Sequence, residues 1–257
     1  MEDRFRSKLK KIPEEYLKYI PDNDDYIVCN SEKKICMIWT PKCACSTAFR
    51  TYFDFIEFEY DKFKWIHPER MKKYRTDNYD PTYLSFQIVR NPFIRIISSY
   101  LHVLRIRPWV YKKKLSFYDF LKFLDKKNPN KLDSHTTFQF KIPVKNYLKL
   151  ENIKTEVKNF NLKNNIELVL NTQKNFSYQT ILVKKNKNKK IFDPYMFNHK
   201  LYDVLVTSTF FDNSNTETIN IDYSEFYTKK IKNLVQKIYF KDINYFNYEF
   251  PYVLEEK

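Results

Sequence analysis

Apolar residues fall along this chain in two alternating rhythms. Residues 33–40, Lys-Lys-Ile-Cys-Met-Ile-Trp-Thr, hold a continuous apolar run of strand length, and Pro41 follows at once to end it. Phe49, Tyr52, Phe53 and Ile56 then recur at i, i+3, i+4 and i+7, the stripe of a helix. The pattern predicts strand, short loop from Pro41 to Ser46, helix. A second unit repeats it. Leu84 to Val89 is an apolar run, Arg90-Asn91-Pro92 breaks it, and Phe93, Ile96, Ile97, Tyr100, Leu101 and Leu104 form a long helical stripe. Two such units predict an α/β domain with a central parallel sheet flanked by helices. Further helices are expected from Ser116 to Leu124, with Ser116 as N-cap, and from Ser224 to Tyr239. Lys145 to Ile153 fits a strand, residues 161–220 show no clear period, and Lys184 to Lys190 reads as a solvated loop.

Composition changes this picture at four points. The 257 residues show no shift that marks a boundary, so a single domain over 1–257 is expected, and 18% aromatic residues exceed what a disordered chain carries. No run of eighteen apolar residues occurs and the first residues lack the apolar core of a signal peptide, so no transmembrane segment and a cytoplasmic location are expected. The net charge of +15 favours anionic partners, yet the same excess of Lys, Asn, Ile and Tyr follows from an A- and T-rich coding sequence with no partner at all. Glycine is entirely missing, which excludes the G-x-x-x-x-G-K-(S/T) phosphate loop and the G-x-G-x-x-G dinucleotide fingerprint. Any phosphate must be held by a loop built without glycine.

The four cysteines, Cys29, Cys36, Cys43 and Cys45, lie close together, but their gaps of six, six and one residues and the lack of a nearby His do not fit a zinc site. No metal is expected, and free buried thiols in a reducing compartment are the expected state.

Two loops carry candidate chemistry. Pro41-Lys42-Cys43-Ala44-Cys45-Ser46-Thr47 combines a cation, two hydroxyls and the free N–H groups of a helix start, the set that a terminal phosphate needs. Arg90-Asn91-Pro92 sets a guanidinium before a helix that carries Ser98. Taken singly, Lys42 is an ordinary loop lysine and Arg90 an ordinary strand-end arginine; both at strand ends in one α/β sheet, where ligands bind, are a more specific signal.

At these residues the sequence resembles the sulfotransferases that use 3′-phosphoadenosine-5′-phosphosulfate (PAPS), and within them the carbohydrate type that includes the chondroitin enzymes and microbial relatives. The first loop resembles P-K-C-A-C-T-S with the two hydroxyl residues exchanged, and Val89-Arg90-Asn91-Pro92 through Ser98-Ser99-Tyr100 resembles V-R-(D/N)-P-x-x-R-x-x-S-x-Y. Asp133-Ser134-His135-Thr136-Thr137-Phe138-Gln139 is similar to a D-x-H-x-x-P-Q segment with Phe138 in place of proline. Leu150-Glu151-Asn152-Ile153 echoes an L-E-N-(L/I) strand end. Near the C-terminus, Tyr239, Asp242 and Phe246-Asn247-Tyr248 resemble Y-x-x-D-x-x-x-F-G-Y, with Asn247, a residue that tolerates the left-handed conformation, where the family has glycine. Residues 1–30 and 161–220 are poorly matched.

The resemblance implies a P-loop-like three-layer fold, PAPS as sulfonate donor and no metal. It implies that Lys42, Cys43, Ala44, Cys45, Ser46 and Thr47 bind the 5′-phosphosulfate and that Arg90 and Ser98 hold the 3′-phosphate. In the implied reaction the hydroxyl of a carbohydrate or other acceptor, an acidic glycan among them, attacks sulfur in line while Lys42 steadies the charge growing on the leaving phosphate. A proton acceptor is then needed, and His suits the role. His67, between the two loops, is the favoured base, with His135 the second candidate as base or acceptor contact; His102 and His199 are expected to be structural. Glu57, Glu59 or Glu69 are the alternatives to a histidine. The rival readings are a small-molecule kinase, a basic nucleic-acid-binding protein that grips phosphates with Lys and stacks bases on Tyr and Phe, and a PAPS-binding fold without transfer. The kinase loop needs glycines that are absent, and no nucleic-acid partner is expected.

Overall fold

The structure is a computed structural model that describes residues 27–59, 80–106, 113–127, 134–139, 144–171, 180–182, 194–196, 218–220 and 222–254. In chain order its elements are β1 (Ile27–Asn30), β2 (Ile35–Ile38), α1 (Cys45–Phe55), β3 (Leu84–Val89), α2 (Pro92–Ile106), α3 (Phe117–Lys126), β4 (Asn146–Lys149), α4 (Ile153–Asn164), β5 (Thr180–Leu182), β6 (Thr218–Asn220), α5 (Lys229–Ile238) and α6 (Phe240–Tyr245), with 3₁₀ turns at Leu150–Asn152 and Tyr223–Phe226. The chain divides into two compact units, Met1–Arg90 with Phe138–Asn175 and Asn91–Thr137 with Phe176–Lys257.

The first unit is built on a four-stranded mixed sheet in the order β1-β2-β3-β4. β2, β3 and β4 run parallel, as the two strand-loop-helix units require, while β1 pairs antiparallel with β2. Period-two alternation sorts the side chains. Val28, Ile35, Met37, Phe86, Ile88 and Leu148 pack with Phe49, Tyr52 and Phe53 of α1 and Val157 and Phe160 of α4 in one buried cluster. Ile27, Cys29, Cys36 and Ile38 form a second cluster. The α/β class with a mostly parallel sheet and flanking helices agrees with the apolar pattern. β3 spans the residues that the run Leu84–Val89 predicts.

The second unit gathers α2, α3 and α5. Ile96, Ile97, Tyr100, Leu101 and Leu104 of α2, Phe117, Phe120, Leu121 and Leu124 of α3, and Ile231, Val235 and Ile238 of α5 are all buried. The Tyr100 ring lies 5.3 Å from both Phe117 and Phe120, and its hydroxyl donates to the Leu115 carbonyl at 2.9 Å. Ser116 caps α3 as expected, accepting from the Asp119 N–H at 3.0 Å and donating to the Asp119 carboxylate at 2.8 Å. β5 and β6 form a two-stranded antiparallel sheet.

Three expectations change. The helix expected from Ser224 begins at Lys229, because Thr228 accepts from the Ile231 N–H as its N-cap and Tyr223–Phe226 closes into a 3₁₀ turn. The strand expected over 145–153 stops at Lys149, and α4 follows, a helix whose buried residues are only Val157 and Phe160 and whose stripe is correspondingly faint. Cys29 and Cys36 are joined by a disulfide and are not free thiols, since the β1–β2 register sets them directly opposite one another; Cys43 and Cys45 form no disulfide. A disulfide is the state that an oxidising compartment favours, so the thiol argument for a reducing one does not carry over. Lys184 to Lys190 lies outside the described residues. No helix among the described residues is long and apolar enough to cross a membrane. Alkylation of the denatured protein without reductant is expected to label Cys43 and Cys45 only; mass spectrometry that finds all four labelled would mean that the hairpin holds two thiols.

Candidate active site

The parallel register of β2 and β3, with Ile38 opposite Gln87, makes the two chemical loops leave adjacent strands at the same end of the sheet. The first begins as a tight turn. The Cys43 N–H donates to the Thr40 carbonyl at 3.2 Å, Pro41 occupies the second turn position, and Lys42 sits third with φ 68°. That pattern is a type II turn, whose third position ordinarily takes glycine. Two residues on, Ala44 (φ 55°, ψ 40°) is also left-handed and serves as the N-cap of α1. Left-handed backbone costs a residue with a Cβ about 1–2 kcal/mol. The chain thus builds its loop without glycine and holds it strained at two positions, a property that clusters at functional sites.

Ala44 has no side-chain acceptor, so it leaves the start of α1 open. No side-chain hydrogen bond caps it, and the first helical bond runs from the Ala48 N–H to the Ala44 carbonyl at 2.9 Å. By helix geometry the N–H groups of Cys45, Ser46 and Thr47 have no partner within the helix and carry its positive dipole end. Lys42, Ala44, Cys45, Ser46 and Thr47 are half-buried, and the Cys43 thiol is buried and donates to Gln139 Oε1 at 3.0 Å.

Arg90 follows the last residue of β3. Its Nη1 donates to the Lys42 carbonyl at 3.2 Å, so its guanidinium lies against the first loop. Two cationic side chains, two hydroxyls and a helix N-terminus are therefore presented by neighbouring strands, a set suited to an anion with more than one phosphate-like group. The next residues open α2: the Asn91 side chain accepts from the Phe93 N–H at 3.0 Å, and Pro92 stands at the first helical position, where its missing N–H costs nothing. Ser98 lies on α2 in the second unit and is buried.

Among the candidate bases, His67 and Glu69 lie outside the described residues, as does His199. His135 belongs to the second unit and is half-buried. Its main chain is firmly held: the carbonyl accepts from Ser99 Oγ at 2.6 Å and Arg95 Nη2 at 3.4 Å, and the next carbonyl, of Thr136, accepts from the Tyr239 hydroxyl at 2.8 Å. Burial pushes the Tyr239 hydroxyl well above its ordinary range against the pull of Arg95, so it stays protonated and able to donate. The His135 ring lies 4.0 Å from that of His102, and its Nδ1 is 3.5 Å from Ser134 Oγ. His102, expected to be structural, is thus a direct neighbour of a candidate base. Glu57 pairs with Lys33 at 2.8 Å, and that hydrogen bond and charge hold its exposed carboxyl below the usual carboxylate range, which makes it a poorer proton acceptor. Glu59 is exposed.

Sequence reasoning missed the residues that hold the loops in place. Thr40, Gln87 and Gln139 are all buried, and Gln139 pairs with the main chain of Arg90. One signal was available: Gln87 is a long polar side chain inside the apolar strand Leu84–Val89, and a buried amide needs partners. Among the described residues no three His, Cys, Asp or Glu side chains gather as a metal-binding group.

A model of the sulfotransferase family matches residues 24–249, which include both loops. No curated protein and no solved structure matches the chain.

The left-handed turn has a measurable consequence. Ala44→Gly is expected to leave stability unchanged or raise it by up to about 1 kcal/mol in urea unfolding, whereas Ala48→Gly inside α1 should lower it by about 1 kcal/mol or more. The opposite order would mean that Ala44 is not left-handed in solution.

Proposed function

Because the chain belongs to the sulfotransferase family, we propose that it moves a sulfonate group from PAPS to a hydroxyl, that of a carbohydrate, and that both units act as one sulfotransferase domain. The observation that carries this reading is the Arg90 guanidinium lying 3.2 Å from the Lys42 carbonyl, beside an uncapped helix start. PAPS supplies an activated sulfonate and a good leaving group, adenosine 3′,5′-bisphosphate. The donor set fits it. The N–H groups of Cys45, Ser46 and Thr47, with the hydroxyls of Ser46 and Thr47, take the 5′-phosphosulfate, and Arg90 takes the 3′-phosphate, a role that the resemblance also gives to Ser98.

Lys42 acts on the bond that breaks. As the acceptor oxygen bonds to sulfur, the bond from sulfur to the bridging phosphate oxygen opens and its electron pair stays on the phosphate. A cation and fixed N–H dipoles at that oxygen stabilise the transition state more than the ground state. The acceptor proton goes to a histidine, His67 in our reading, with His135 as the alternative. The carbohydrate class of the acceptor rests on the likeness of the first loop to the carbohydrate-type motif, and an acidic glycan fits the charge of +15.

Titration calorimetry with adenosine 3′,5′-bisphosphate tests the nucleotide site. The wild type is expected to bind in the micromolar range, and Lys42→Ala and Arg90→Ala to lose tenfold or more, about 1.4 kcal/mol each. A wild type that does not bind, but binds any nucleic acid with steep salt dependence, would sink the transferase reading in favour of a basic binding surface. Once an acceptor is in hand, His67→Ala should lower kcat by about a hundredfold or more with nucleotide affinity unchanged. If His135→Ala shows that loss and His67→Ala does not, the base is His135.

A further inference from the structure

In the first unit, hydrogen bonds from Thr40, Cys43, Gln87 and Arg90 converge on one residue, Gln139. Gln139 is fully buried. Its Oε1 accepts from the Arg90 N–H at 2.7 Å and from the Cys43 thiol at 3.0 Å, and its Nε2 donates to the Arg90 carbonyl at 2.8 Å. Its own carbonyl accepts from Gln87 Nε2 at 2.7 Å and Thr40 Oγ1 at 3.3 Å, while Gln87 Nε2 also donates to Thr40 Oγ1 at 2.9 Å. One residue is therefore bonded to the middle of β3, the residue after β3 and, at Thr40 and Cys43, the segment that follows β2.

We propose that Gln139 is a positioning residue of the nucleotide site, locking the main chain of Arg90 to the Cys43 step of the first loop so that the two phosphate grips keep one spacing. A primary amide is the side chain whose donor and acceptor match the N–H and C=O of a single residue, as a neighbouring strand would. The need is local. The last ladder pair between β3 and β4 is Val89 with Lys149, so Arg90 lies just beyond the ladder, and the Gln139 amide pairs its N–H and its carbonyl. The same oxygen that fixes Arg90 accepts the hydrogen bond of the Cys43 thiol, so the two loops cannot shift separately without breaking a buried hydrogen bond. Thr40 and Gln87 hold the Gln139 main chain in turn, which makes its position a property of the sheet and not of the segment that carries it.

This inference rests on the sulfotransferase reading, and the test separates the two. Adenosine 3′,5′-bisphosphate is titrated into the wild type, Gln139→Met, Arg90→Ala and the double variant, with circular dichroism to confirm folding. Gln139→Met is expected to weaken binding at least tenfold in the wild-type background and less than threefold when Arg90 is already alanine, because the guanidinium being positioned is gone. Gln139→Glu keeps shape. Deprotonated, its carboxylate faces the Arg90 carbonyl and cannot donate; protonated, it restores the donor. Its affinity relative to wild type should therefore recover as pH falls from 8 to 5, a signature that general destabilisation does not give and that serves even if the methionine variant fails to fold. Wild-type-like binding by Gln139→Met, equal losses in both backgrounds, or a pH-independent Gln139→Glu would overturn the role of Gln139 and leave the nucleotide site standing. A wild type that binds no nucleotide would overturn both.

Discussion

The site depends on the parallel pairing of β2 with β3. Parallel neighbours end at the same edge of a sheet, so the loop after Ile38 and the loop after Val89 must emerge side by side. Had the strands run antiparallel, Lys42 and Arg90 would stand at opposite edges and no single ligand would meet both. The pairing is secured by the apolar cluster that β2, β3 and β4 share with α1 and α4, and its interior includes Met37 and Phe86, both fully buried. Packing of ordinary side chains thus supports the spacing of the charged ones.

The lack of glycine shapes how that edge is finished. Phosphate-binding loops commonly use glycine because it reaches left-handed backbone without steric cost. Here Lys42 and Ala44 take those conformations, and so do Asn165 and Asn247 elsewhere. For the asparagines the local chemistry makes the conformation tolerable. For Lys42 and Ala44 it does not, so the surroundings must hold them: the Cys43 N–H closes a turn onto Thr40, and the Cys43 thiol, between the two strained residues, is anchored on Gln139. The buried amide network and the strained loop are two halves of one arrangement.

Much of this was legible from the chain. The run Leu84–Val89 is mostly apolar and flanked by breakers, so β3 could be placed to the residue; Ser116 has the geometry of a cap written in its spacing to Asp119. Asn247 in place of glycine pointed to a left-handed residue, and its φ is 49°. Other elements were obscure for physical reasons. α4 buries so little that its stripe is faint, and the 3₁₀ turn before α5 shares the apolar spacing of a helix without continuing it. β1 is a four-residue strand that sequence pattern did not single out.

By itself, the sequence determined the chemistry: a cation, hydroxyls and a helix start after one strand, a guanidinium after another, and no glycine to share between them. Those are local facts, set by residue type and short-range spacing. Tertiary structure decided which distant groups meet. Cys29 faces Cys36 only because β1 turns back on β2 in one register. Gln139 reaches Arg90 across 49 residues, and its motif showed that an amide is there but not what it binds. Hydrogen bonds of that range depend on strand order and register, which arise from the sum of many apolar contacts and are written in no single stretch of chain.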